Sequence, residues 1–142
     1  MKRFVCLLLL VVGIFTACGS GGETLQEYEY EDFRDMVNAD DFTGFSYMLT
    51  DYQTHEEGYI TMIEDVFERT GEQLIYTNVQ EYDDDVHEFF NEESRDPDLI
   101  LPGDKVVYVK EGTVISEFPI ENSVLQTDEY NQELQHFIET HQ

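Results

Sequence analysis

The most informative segment for the architecture is Lys105-Val-Val-Tyr-Val-Lys-Glu-Gly112-Thr-Val-Ile-Ser-Glu-Phe118. Two runs rich in β-branched and aromatic residues lie on either side of Lys110-Glu111-Gly112, and such runs around a short glycine-bearing turn are typical of a β-hairpin. Strands joined by so short a connection pair in the antiparallel direction. The stretch therefore predicts an antiparallel pair at the edge of the sheet that the rest of the chain supplies.

Two further strands are predicted upstream of the hairpin. Gly44–Leu49 alternates between apolar and other residues, and Leu74–Val79 is a second run of strand-forming residues. The side chains on the apolar side of the first strand are Phe45, Tyr47 and Leu49. The chain between the two strands is long enough for a helical crossover, which favours parallel pairing.

Two helices are predicted around the second of these strands. Thr54-His55-Glu56-Glu57 fits a capping box, with threonine as the N-cap, and Gly71 is a natural C-cap for the helix that it opens. Asp85 and Glu88 form a second capping pair that opens a short helix. The apolar residues that this short helix is expected to bury are Val86, Phe89 and Phe90.

Helices are also predicted at both ends of the domain. An apolar stripe among acidic residues runs from Glu23 to about Asn38 and indicates an N-terminal helix. Thr127 is the expected N-cap of a last helix. The apolar positions that recur at helical spacing in this last helix are Tyr130, Leu134, Phe137 and Ile138.

The order of elements after the first helix is β-α-β-α-β-β-α, which resembles the thioredoxin fold. The resemblance covers roughly Phe33 to the C-terminus and depends on this order, on the closing hairpin, and on Tyr47-Met48-Leu49 leading through a short loop into a helix. It implies an α/β fold with a mixed sheet and helices on both faces of the sheet, and the predicted N-terminal helix is an addition that precedes this arrangement.

The residues that carry the chemistry of the redox members of this family are missing. The resemblance places the Cys-x-x-Cys motif at Tyr52-Gln53-Thr54-His55, where neither end is cysteine. It places the family's cis-proline near Asp104, and Pro102 lies two residues too early. Because thiol–disulfide exchange needs a thiol, the sequence predicts the scaffold without its oxidoreductase activity.

A different chemistry at the same loop is the alternative. Tyr52 and His55 could meet Asp104 at the mouth of the helix and form an enzyme or metal-binding site, since a histidine there can act as a base or a ligand. Against this, Thr54 has a capping role and His55 would then be an ordinary first-turn residue. Because no nucleophile motif or metal-ligand spacing stands out, we expect no bound metal and no cofactor.

The first residues form an export signal. Met1-Lys2-Arg3 precedes a run of twelve mostly apolar residues, Phe4–Phe15, which is shorter than the roughly 20 residues that a membrane-spanning helix needs. The segment ends in Phe15-Thr16-Ala17-Cys18, which resembles the bacterial lipobox. The resemblance implies cleavage between Ala17 and Cys18 and a diacylglyceryl group on the Cys18 thiol.

The cysteine count agrees with a lipid anchor. Cys6 lies inside the predicted signal peptide, residues 1–17, so Cys18 is the one cysteine expected to remain after the signal peptide is cleaved. Residues 18–23 are glycine-rich and are expected to form a flexible tether, with a single domain over residues 24–142. We therefore expect the domain at the extracytoplasmic face of the cell membrane, held there by acyl chains at Cys18.

The charge balance excludes several classes of partner. Seven Lys and Arg residues against 32 Asp and Glu give a net charge of −25, and loss of Lys2 and Arg3 makes it 5 − 32 = −27. Nucleic-acid binding needs clustered cations, and so does attraction to anionic lipid headgroups. Disorder is not expected, because 41% of the residues are hydrophobic and 13% are aromatic.

These observations favour a membrane-anchored binding or scaffold module that is not an enzyme. The chain resembles small cell-wall-associated lipoproteins of Gram-positive bacteria, which implies a cell-wall or envelope protein as the partner. The alternative remains an enzyme or metal site at Tyr52–His55, or cation binding by the acidic surface. That acidity is also accounted for by adaptation to saline or alkaline surroundings.

Overall fold

A mixed five-stranded sheet forms the centre of the computed structural model, which describes residues 23–56, 58–121 and 127–142. The strand order is β1-β3-β2-β4-β5, in which β1, β3 and β2 run parallel while β4 and β5 pair antiparallel. The strands are β1 (Leu25–Glu27), β2 (Gly44–Leu49), β3 (Leu74–Asn78), β4 (Lys105–Lys110) and β5 (Thr113–Pro119). The predicted signal peptide and Cys18, with all of the tether except Glu23, lie outside the described residues.

Five α-helices are described around this sheet, and a 3₁₀ turn at Val79–Glu81 follows β3 directly. The helices are α1 (Tyr30–Val37), α2 (Tyr52–Glu56), α3 (Tyr59–Thr70), α4 (Asp84–Glu93) and α5 (Asp128–Thr140). The predicted α/β class with a mixed sheet is confirmed, and the architecture is compatible with a thioredoxin-like arrangement. The parallel pairing of the first two predicted strands and the closing hairpin are also confirmed.

The core is divided into two clusters by the sheet. One cluster contains Tyr47 of β2 with buried residues of α3 and α5, and the other contains Met48 of β2 with buried residues of α1. Successive side chains of a strand point to opposite faces, so the two clusters lie on opposite faces of the sheet. The predicted covering of both faces by helices is therefore confirmed.

The turn of the hairpin requires a glycine. Gly112 has φ +67°, and a Cβ there would lie 3.0 Å from the Cα of Asp40 and 3.1 Å from the carbonyl oxygen of Ala39. Its N–H donates to the carbonyl of Phe42. A side chain would therefore meet both an unfavourable backbone conformation and the neighbouring chain.

The N-terminal helix begins later than the sequence predicts. Leu25–Glu27 form β1 and pair with Leu74–Tyr76, while α1 begins at Tyr30. The N–H of Leu74 donates to the carbonyl of Thr24 and the N–H of Tyr28 donates to the carbonyl of Tyr76, both at 2.9 Å. The backbone groups of this segment thus bond to the open edge of β3, which the helical spacing of the stripe does not reveal.

The predicted helix after β2 is divided in two. Gly58, with φ +67°, separates α2 from α3, and Thr54 lies buried inside α2 instead of capping the longer helix. Gly71 does end α3, in the left-handed conformation with φ +75°, as predicted. Thr127 caps α5 as predicted, since its hydroxyl accepts a hydrogen bond from the N–H of Tyr130.

The prediction for α4 is wrong in its start and in its burial. The helix begins at Asp84 after the N-cap Asp83, and none of its residues is buried. Val86 and Phe90 are half-buried against the second cluster, whereas Phe89 is 58% exposed. The helix lies on the outside of α1 and reaches the core with only part of its apolar face.

Candidate functional site

The predicted site residues lie where the parallel strands end. The segment Thr50–His55 follows β2, the turn Val79–Glu81 follows β3, and Asp104 precedes the antiparallel β4. Carboxyl ends of parallel strands share one edge of a sheet, and the antiparallel neighbour begins at that same edge. Three segments distant in sequence are therefore brought to one place.

Asp104 stabilises the loop after β2 through hydrogen bonds. Its carboxylate accepts hydrogen bonds from the backbone N–H groups of Thr50 and Asp51, each at 2.9 Å, and from the hydroxyl of Thr50. Asp104 itself has φ +50°, a conformation that aspartate tolerates better than most residues. The side chain ties the end of β2 to the start of β4 with charge-assisted hydrogen bonds.

Asp51, and not Thr54, caps the helix that follows. The carboxylate of Asp51 accepts from the backbone N–H of Thr54 at 2.7 Å and from its hydroxyl at 3.1 Å. An acceptor three residues ahead of a helical N–H is the geometry of an N-cap. The sequence could have indicated this, since Asp51 also precedes the helix and aspartate is a strong N-cap residue.

Asn78, at the end of β3, holds His55 in place. Its amide nitrogen donates to the Glu81 carboxylate at 2.9 Å and lies 3.0 Å from Nδ1 of His55. An amide NH₂ can only donate, so Nδ1 of His55 is the acceptor. The other imidazole nitrogen, Nε2, lies 4.0 Å from a carboxylate oxygen of Glu56.

The network continues on to the backbone of the loop. The N–H of Gln80 donates to the carbonyl oxygen of the Asn78 side chain at 3.2 Å, and the Gln80 side-chain amide donates to the carbonyl of Thr50. The roles of Asn78 and Gln80 were not predicted, because nothing in the sequence near Thr50 indicates that the residues after β3 will meet it.

Tyr52, His55 and Asp104 share this end of the sheet but bond separately. Tyr52 is 62% exposed, His55 bonds towards β3, and Asp104 bonds towards the backbone of the loop. Within the described part of the chain, no hydrogen bond or ion pair joins any two of these three side chains.

A buried tyrosine lies beneath the loop. Tyr47 is fully buried in β2, and its hydroxyl has no hydrogen-bond partner among the described residues. Burial raises the pKa of the Tyr47 phenol far above its usual range, and the negative charges of Asp104 and Asp51 raise it further. The phenol therefore stays neutral, and the group is not a base.

The polar side chains of this network form hydrogen bonds with one another and with the backbone of the loop. Asp104 and Asp51 fix the backbone of the loop, while Asn78 and Gln80 fix it from the side of β3. Within residues 23–56, 58–121 and 127–142, no group of three or more His, Cys, Asp or Glu side chains is arranged to hold a metal ion. The arrangement fixes the backbone before α2 by hydrogen bonds and leaves Tyr52, at the first position of α2, exposed.

Comparison with known proteins gives no relative: no protein-family model, no curated protein and no solved structure matches this chain. Over the described residues, no helix combines the length and apolar character needed to cross a bilayer.

Proposed function

We propose that this chain is a lipid-anchored binding module at the extracytoplasmic face of a bacterial cell membrane, without thiol redox activity. The observation that carries the proposal is the sequence Phe15-Thr16-Ala17-Cys18 directly after a cationic start and a short apolar run. Acyl chains on Cys18 would hold the domain durably, because each buried methylene contributes about 0.8 kcal/mol.

The positions of the cysteines support a role without redox chemistry. The two cysteines of the chain are Cys6 and Cys18, so the sequence from residue 19 to residue 142 contains no thiol. At the start of α2, where a thioredoxin-like enzyme would carry its cysteines, the chain has Tyr52-Gln53-Thr54-His55. Thiol–disulfide exchange has no attacking group there.

The loop after β2 supports binding over catalysis. A general base must lie within hydrogen-bond reach of the proton that it takes, and a nucleophile must lie beside its base. Nδ1 of His55 is instead engaged by Asn78, and the Asp104 carboxylate is engaged by the backbone of the loop. Groups held in this way give a fixed surface, which is what recognition needs.

Anchoring is tested by expressing the full chain in a bacterium and separating membranes from the soluble fraction. We expect the protein in the membrane fraction, with mass spectrometry showing Cys18 as the N-terminal residue carrying acyl chains. The substitution Cys18→Ala should release the protein from membranes or leave the signal peptide uncleaved.

Cys6→Ala is the matched control, because it removes the other cysteine from the same N-terminal segment. It should leave both lipidation and membrane association unchanged. A mature form with an unmodified residue 18, or a secreted soluble form as the main product, would overturn the proposal.

A further inference from the structure

Helix α4 presents an apolar surface that the fold does not cover. None of its residues is buried, and Phe89, at its centre, is 58% exposed. Phe90 contacts Tyr30 of α1 edge-to-face with ring centroids 6.2 Å apart, so the helix is docked on that side. Phe89 is left largely exposed beside this contact.

The exposed ring forms one wall of a groove. The groove, of about 260 Å³, lies between the start of α1 and the first half of α4. A second depression of about 590 Å³ shares Glu29 and Tyr82 with it and extends towards β1. The two depressions are adjacent through these shared residues, and we call them together the α1–α4 groove. Its apolar and aromatic lining is Tyr28, Tyr30, Tyr82, Val86 and Phe89.

The rim of the α1–α4 groove is strongly negative. The carboxylates that line it belong to Glu27, Glu29, Glu31, Asp32 and Glu81. Its one cation, Arg34, bonds to Glu93 at 2.7 Å and to Asp35 at 2.8 Å. Within the described residues, no hydrogen bond or ion pair engages the carboxylates of Glu31 and Asp32, so their charge faces the groove unpaired.

We propose that the α1–α4 groove binds a basic peptide segment that carries an aromatic or large aliphatic side chain. The peptide's lysines or arginines would pair with the acidic rim and stack on the tyrosine rings, and the apolar side chain would cover Phe89 and Val86. This inference rests on the proposed binding function and adds to it the class of partner. An anionic or purely apolar partner would leave the rim carboxylates desolvated and unpaired.

The test uses the fact that the chain contains no tryptophan. A synthetic lysine peptide with a single tryptophan is titrated with the full-length lipidated protein in non-ionic detergent. Because no other indole is present, a blue shift of the tryptophan emission reports burial of that side chain. The same peptide with serine in place of tryptophan is used as a competitor and should compete at least about tenfold less well.

Two pairs of variants locate the site. Phe89→Ala should weaken binding about tenfold or more, while Ile115→Ala, which removes a side chain 54% exposed on β5, should leave it unchanged. The double change Glu31→Gln with Asp32→Asn should weaken binding similarly. Its control, Asp128→Asn with Glu129→Gln, removes the same charge from the first turn of α5 and should have little effect.

Three outcomes would overturn the inference: an unshifted emission, equal weakening by test and control variants, or a Phe89-dependent dimer of the chain in sedimentation. An unshifted emission or equal weakening by all variants would mean that the peptide binds, if at all, only through diffuse charge attraction. A Phe89-dependent dimer would mean that the groove binds a second copy of the chain. None of them alters the state of Cys18, so failure here and failure of membrane anchoring are distinguishable.

Discussion

At the scale of single residues, one buried polar group is expected to lower the stability of the folded domain. The hydroxyl of Tyr47 is buried in β2 without a hydrogen-bond partner among the described residues, next to the charges of Asp51 and Asp104. Burying a hydroxyl unpaired costs about 1–3 kcal/mol. The alternation of β2 predicts that Tyr47 faces the core, but not that its hydroxyl finds no partner there.

We therefore expect Tyr47→Phe to increase the free energy of unfolding by about 1 kcal/mol, because it removes the unpaired hydroxyl and keeps the ring. Urea unfolding of the full chain followed by circular dichroism measures this. The matched control is Tyr30→Phe, which deletes a hydroxyl that donates to Glu93 at 2.7 Å and should lower stability by about 1 kcal/mol. A Tyr47→Phe protein no more stable than the parent would show that the hydroxyl has a partner in solution.

At the scale of secondary-structure elements, the fold depends on hydrogen bonds between segments that are distant in sequence. The hairpin, the end of α3 at Gly71 and the start of α5 at Thr127 could be predicted, because each depends on a few consecutive residues. The hydrogen bonds that connect the end of β2 to the start of β4 could not be predicted. Asp104 stands where the resemblance expects a proline, and only the fold reveals that it bonds to Thr50 and Asp51.

Asp104→Ala is expected to lower the free energy of unfolding by about 3 kcal/mol, because two backbone N–H groups lose a charged acceptor. Hydrogen exchange at Thr50 and Asp51 should accelerate in the same variant. Asp104→Asn tolerates the positive φ and keeps one acceptor, so it should fall between the parent and the alanine variant. Asp98→Ala removes an exposed carboxylate upstream in the same connecting segment and should change little; an equal loss from both alanine variants would contradict the fastening role.

At the scale of the whole molecule, buried and half-buried tyrosines are expected to destabilise the fold at alkaline pH. Burial is the main cause that raises the pKa values of Tyr30, Tyr47 and Tyr76, with nearby carboxylates adding to it. In the unfolded chain these phenols ionise near pH 10. Above that pH the unfolded state binds fewer protons than the folded state, so the stability present below about pH 10 is lost as the pH rises.

We expect tyrosine ionisation and unfolding to be linked above about pH 10. Tyrosinate absorbance and far-ultraviolet circular dichroism, recorded together over an alkaline titration, measure the two events. Part of the absorbance rise should coincide with the loss of helical signal. If all nine tyrosines ionised near pH 10 while the helical signal stayed intact, the buried phenols would not be the cause.

The order of amino acids is enough to predict the α/β class, the parallel pair with its closing hairpin, and the thiol-free domain. Periodicity, caps and residue identity are properties of neighbours along the chain. Three features become visible only in the folded molecule: Leu25–Glu27 form an edge strand, Asp104 bonds to a loop 54 residues away, and Phe89 stays outside the core. Each of these depends on which segments meet in space. Hydrogen bonding to the free backbone groups at the edge of β3 stabilises Leu25–Glu27 as a strand more than their helical spacing stabilises a helix. Helix α4 docks on α1 and not on the sheet, so part of its apolar face remains exposed to solvent.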